Sequence, residues 1–233
     1  MQLSRTQSHD TSVYYFGVAL LVAVAGFYPS FFSQPTRVGT LRLVHGTLAT
    51  TWLLLLIVQA TLARTRHLAP HRILGWSSLA IVPPFLVSGV LLVCDALAGT
   101  NPFQRAYATR LAWVDFLGLA FFACCYVLAL WHRRRRPLHL RYMACTAVLV
   151  LPPATARALG AYLPGVSSFD TVFHAGMLIS VVVALVLMVR DMRAGRLLPP
   201  YPLLLAVLLA QQVGFVAIAG STTWAALCRH LAG

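Results

Sequence analysis

Long apolar runs separated by short polar gaps dominate this chain. Seven of them, over about residues 13–33, 41–63, 73–96, 109–131, 142–163, 170–190 and 201–226, match the roughly 20 residues an α-helix needs to cross the hydrocarbon core. The pattern predicts an all-α polytopic membrane protein, with residues 1–233 forming a single seven-helix transmembrane domain and no soluble domain. The first run reads as a span and not as a cleaved leader. Only Arg5 precedes it as a basic residue, and its far end carries Phe27, Tyr28, Phe31 and Phe32, an interfacial aromatic belt where a cleavage site would need small residues. The pairs Pro83–Pro84 and Pro152–Pro153 sit mid-span in the third and fifth runs. Each is expected to kink its helix and free carbonyls that need a packed neighbour or a cavity.

Composition agrees: 59% of residues are apolar and mean hydropathy is +0.78. Every basic side chain except histidine is arginine, a usage typical of GC-rich bacterial genomes, and every acid is aspartate. A net charge of +13 would ordinarily suggest nucleic acid, but the arginines fall in loops of one parity, where they orient the chain and meet anionic lipid. Arg64, Arg66 and Arg72, then Arg133 to Arg136 with Arg141, then Arg190, Arg193 and Arg196 mark one face. The other set of loops, with its flanking helix ends, holds only Arg37, Arg42, Arg105 and Arg110. The positive-inside rule predicts a cytoplasmic N-terminus and a periplasmic C-terminus in a bacterial inner membrane. The lack of lysine excludes a retinal Schiff base. The lack of a nucleotide-binding motif excludes an ATP-driven pump in this chain alone, and no ring of repeated charges suggests an ion channel. The five cysteines form no CxxC motif and read as small core residues, the adjacent Cys124 and Cys125 pointing to different sides of one helix.

His45, Asp115, Arg157 and His174 break the apolar runs. Ionisable groups there are costly, face the bundle interior and mark function. Counting at about 1.5 Å per residue puts all four some 5–10 Å below the periplasmic face, on four different helices. They are expected to converge, with Asp95 and Asp170 at the rim. Helical phase supplies inward stripes: His45, Trp52 and Gln59; Ser77, Pro84, Ser88 and Asp95; Asp170, His174 and Met177; and Gln211 with Thr222.

This constellation admits several chemistries. His45 and His174 can ligate haem b on both axial positions, with Arg157 on a propionate and Trp52 among the packing surface. His45, His174 and Asp115 can instead hold Zn or Fe with an open position for water, giving an intramembrane hydrolase acting on lipid. The plainest arrangement pairs Asp115 with Arg157 and hydrogen-bonds each histidine to a carbonyl or glutamine. A carrier, a receptor for a small-molecule or lipid ligand, or an assembly factor is the non-enzymatic alternative. His71 and His139, at the cytoplasmic starts of the third and fifth spans, are either a second bis-histidine haem site or snorkelling basic residues. His9, His67, His132 and His230 lie in tails or loops.

The stretch from His45-Gly46 through Trp52 and Gln59 to His71-Arg72-Ile73-Leu74-Gly75-Trp76, with the later His139-Leu140-Arg141-Tyr142-Met143 and Leu151-Pro152-Pro153-Ala154-Thr155-Ala156-Arg157, resembles a family of bacterial multi-pass membrane proteins of unknown function. That family carries an H…Q…HRxxG pattern across two helices and an HxRxM pattern later. The resemblance covers about half of the chain and draws attention to His45, Gln59, His71, Arg72, His139, Arg141 and Arg157. Four membrane histidines, two near each face, are also similar to the cytochrome b561 type, from which the helix order here departs.

Overall fold

The computed structural model describes residues 11–166 and 168–232; Arg5, His9 and Asp10 lie outside them. Among the described residues there is no strand, and seven helical stretches are long and apolar enough to span a membrane. The first is α1 (Ser12–Phe27), prolonged by a π-helical turn over Tyr28–Phe32. The second is α2 (Thr40–Arg64). The third is split into α3 (Leu68–Trp76) and α4 (Ser78–Ala98), and the fourth is α5 (Pro102–Trp131). The fifth is split into α6 (Arg136–Val148) and α7 (Leu151–Tyr162). The sixth is α8 (Phe169–Arg193), and the seventh is α9 (Pro200–Ala217) with a 3₁₀ turn to Gly220. A short α10 (Thr222–Leu231) follows.

Local chemistry sets several of these boundaries. The fourth helix starts seven residues ahead of its apolar run, because Pro102 stands in its first turn and the Asn101 side chain accepts the Gln104 N–H at 2.8 Å. The sixth ends in a Schellman motif: Gly195 takes φ 63°, Gly195 N–H donates to Met192 O and Arg196 N–H donates to Asp191 O. The last run does not continue to 226. It breaks at Gly220, and Ser221 caps a new helix by accepting the Trp224 N–H. Gln211 and Thr222 therefore lie on different helices, and α10 packs across α4 and α5.

The two Pro-Pro pairs behave differently. The third span breaks at Ser77, well before Pro83–Pro84, which lie inside a continuous α4. The fifth breaks at Leu149–Val150, immediately ahead of Pro152–Pro153. That break shapes the molecule. The helices close a ring in the order α1, α2, α4, α5, α9, α8, α7 and back to α1. On one side of the break α6 packs against α5 and also touches α1, α8 and α9, so it fills the middle of the ring. Its Cys145, Thr146 and Ala147 are buried there. Beyond the break α7 moves to the ring wall, packed between α1 and α8. Small residues permit that approach: Gly26 faces the Ala154 carbonyl so closely that no Cβ would fit, and a Cβ on Gly176 would meet Pro152 O and Ala156 N at 2.9 Å. The half of the ring that α6 fills is the arginine-rich end; the half that α7 vacates is the opposite end.

Apolar side chains such as Val87, Leu178, Val182 and Val213 point outward, as lipid contact requires.

Candidate functional site

Four histidines lie within the spans, and hydrogen bonds orient each of them. On α3, His71 Nδ1 lies 3.2 Å from the Gln59 backbone carbonyl, near the end of α2. On α6, His139 Nδ1 lies 2.8 Å from the Ala129 carbonyl, near the end of α5. A carbonyl only accepts, so Nδ1 carries the hydrogen in both rings, and in a neutral imidazole the lone pair is left on Nε2. His45 Nδ1 lies 3.0 Å from Ser88 Oγ, whose own hydrogen goes to Phe85 O at 2.9 Å. Ser88 must therefore accept from His45 Nδ1–H, which again frees Nε2. The His45 ring also stacks on Phe85 with centroids 4.7 Å apart. His174 Nδ1 meets the Gln212 amide at 2.6 Å, while Gln212 Oε1 has no partner. An amide nitrogen only donates, so His174 Nδ1 accepts there and the neutral ring carries its hydrogen on Nε2, unlike the other three. None of the four Nε2 atoms has a hydrogen-bond partner among the described residues.

His71 and His139 stand at the same arginine-rich end of the bundle, on α3 and α6. Both amide atoms of Gln59 are buried near this pair's end of the bundle with no partner, and Gly75 of α3 lies against the Gln59 nitrogen. His45 and His174 are not joined by any hydrogen bond or ring contact; one leans on α4 and the other on α9.

Asp115 lies on α5 and Arg157 on α7, and no ion pair joins them. Arg157 Nη1 donates to Pro153 O at 3.1 Å, and its guanidinium lies over the Phe27 ring, 4.6 Å from the centroid. Asp115 has no hydrogen-bond partner among the described residues. The two charges interact through space without touching. Both side chains keep exposed surface, and they face a hollow between α5 and α7. His45, His174 and Asp115 do not assemble a three-ligand metal site: no cluster of three or more His, Cys, Asp or Glu able to hold an ion exists among the described residues.

The two rim acids are paired. Asp95 meets Arg42 at 3.1 Å in an exposed bridge, and Asp170 meets Arg110 at 3.2 Å and accepts from Tyr107 Oη at 2.8 Å. Of the predicted stripes, His45, Trp52 and Gln59 do face inward; Trp52 is buried and donates Nε1–H to Thr146 Oγ1 at 3.2 Å. The Ser77–Pro84–Ser88–Asp95 stripe does not hold, since Pro84 and Asp95 are exposed while Val82, Phe85, Ser88 and Gly89 form the inner face of α4. Sequence reasoning passed over the bidentate bridge from Arg141 to Asp191, with Nε and Nη2 at 2.5 and 2.6 Å. Its signal was an acid closing the sixth span at the same end where an arginine opens the fifth. All five cysteines are free, Cys124 outward and Cys125 inward as the sequence implies.

No family model matches the chain, and neither a curated protein nor a solved structure matches it.

Proposed function

We propose that this is a membrane redox protein that holds a b-type haem between His71 and His139. The observation that carries the reading is their common geometry: two imidazoles from different helices at the same end of the bundle, each with Nδ1–H anchored on a backbone carbonyl and Nε2 left without a partner. A ligating histidine is fixed in this way, because the anchored N–H sets the tautomer and aims the lone pair. The unpartnered Gln59 amide adds a donor and an acceptor in the same region. Taken with the positive-inside rule, the arginine-rich end is cytoplasmic and the haem sits toward that leaflet of a bacterial inner membrane. This moves the favoured cofactor position away from the His45–His174 pair, where the Gln212 amide occupies His174 Nδ1 as a donor and the two rings differ in tautomer.

The test is colour. Protein expressed with haem supplied and then purified should show the Soret and sharp α-bands of a low-spin bis-histidine haem. His71→Ala and His139→Ala should each remove them, while His45→Ala should leave them. A colourless, monodisperse wild-type preparation refutes the reading.

A further inference from the structure

The hollow between α5 and α7 holds two opposite charges that the haem reading does not use. Asp115 and Arg157 both keep exposed surface, and they make no ion pair with each other. Charged groups within apolar spans are costly, and neither of these two is compensated by the other at contact. Arg157 is partly accounted for: one nitrogen donates to Pro153 O and its face lies on Phe27. Asp115 makes no hydrogen bond among the described residues. The neighbouring charged pairs do not compete for these two, because Asp170 is taken by Arg110 and Asp95 by Arg42.

A ligand that carries only one sign would match one wall and repel the other. A ligand that carries both, spaced by a short linker, compensates each locally. The Phe27 ring beside Arg157 supplies an apolar surface for the linker or a chain.

We infer that the hollow binds a zwitterionic aminophosphate head, with its phosphate oxygens on the Arg157 guanidinium and its ammonium on the Asp115 carboxylate. The source is either the headgroup of an aminophospholipid or a free aminophosphate. The site is independent of the haem, since neither Asp115 nor Arg157 touches His71 or His139.

The test uses the full-length protein, delipidated in detergent and then offered phosphatidylethanolamine, phosphatidylglycerol or soluble phosphoethanolamine, with retention counted by native mass spectrometry. About one phosphatidylethanolamine per chain should be retained, at least 10-fold in preference to phosphatidylglycerol, if a lipid is the source. Specific retention of phosphoethanolamine instead assigns a free aminophosphate. Asp115→Asn and Arg157→Gln should each reduce the retained species about 10-fold, and Arg157→Lys should restore part of it. Equal retention of phosphatidylglycerol by the wild type, which needs no variant to fold, overturns the inference. So does retention of neither aminophosphate.

Discussion

Removing the carboxylate of Asp191 tests how the arginine-rich end is held. Arg141 grips it with a fork of two charge-assisted bonds, 2.5 and 2.6 Å long. The two side chains are only 12% and 9% accessible, so water does not screen the pair as it would a surface bridge. Truncating one partner of such a bridge strands the other charge, at a cost of about 3–5 kcal/mol. Arg141 keeps two other contacts, the Pro137 carbonyl at 2.9 Å and the Tyr201 ring 5.9 Å away, which favour the lower figure. At about 2–4 °C per kcal/mol for a chain of this size, a loss of about 3 kcal/mol lowers Tm by about 6–12 °C. Asp191→Ala should show that drop in a thermal scan of tryptophan fluorescence in one fixed detergent. The double variant Asp191→Leu with Arg141→Met should recover most of it, because an apolar pair needs no ionic partner. A drop under about 2 °C in the single variant, or a double variant as unstable as the two single losses added, would show that the bridge does not hold α6 to α8.

Three further outcomes follow from the packing. Gly176→Ala should lower stability by about 1–3 kcal/mol, because its Cβ would press on backbone atoms of α7 that cannot step aside; unchanged Tm would contradict the close approach of α7 and α8. Gln59→Leu should raise the Tm of haem-free protein, since unpartnered buried polar atoms each cost about 1–3 kcal/mol, and a fall in Tm would mean that the amide has a partner there. Cys124 should react with a membrane-permeant maleimide in the native state while Cys125, Cys145 and Cys228 stay protected until unfolding; early labelling of Cys145 would refute a central, filled α6.

The spans were legible because backbone in hydrocarbon must be helical and because charge is excluded from it. Counting residues along the spans set Asp115 and Arg157 at one level, and they make no ion pair with each other. Lateral position was harder. Heptad spacing on α2 predicted Trp52 and Gln59 correctly because that helix is unbroken. The same spacing misled at Ser77 and at Thr222, where breaks in the third and seventh spans reset the helical phase. The Arg141–Asp191 and Arg110–Asp170 bridges were hidden for a different reason. Arginines near the membrane edge had already been explained by topology, and hydropathy does not say which neighbouring helix supplies the carboxylate.

The break in the fifth span links the two ends of the bundle. Pro152 and Pro153 have no N–H, so the carbonyls of Val148 and Leu149 lose their helical donors and the ladder is interrupted there. Thr155 Oγ1 re-ties the turn by donating toward Leu151 O at 2.7 Å. Because α6 then takes the centre and α7 the wall, one turn of chain both packs the histidine end tightly and opens a space around Asp115 and Arg157. Replacing both prolines by alanine should let the helix run straight, so that its outer half crowds the hollow. The double variant should therefore lose aminophosphate retention while keeping the Soret band, since His71 and His139 lie on the far side of the break. Retention at the wild-type level would mean that the hollow does not depend on the kink. Loss of colour together with retention would mean that the two ends are not separate sites.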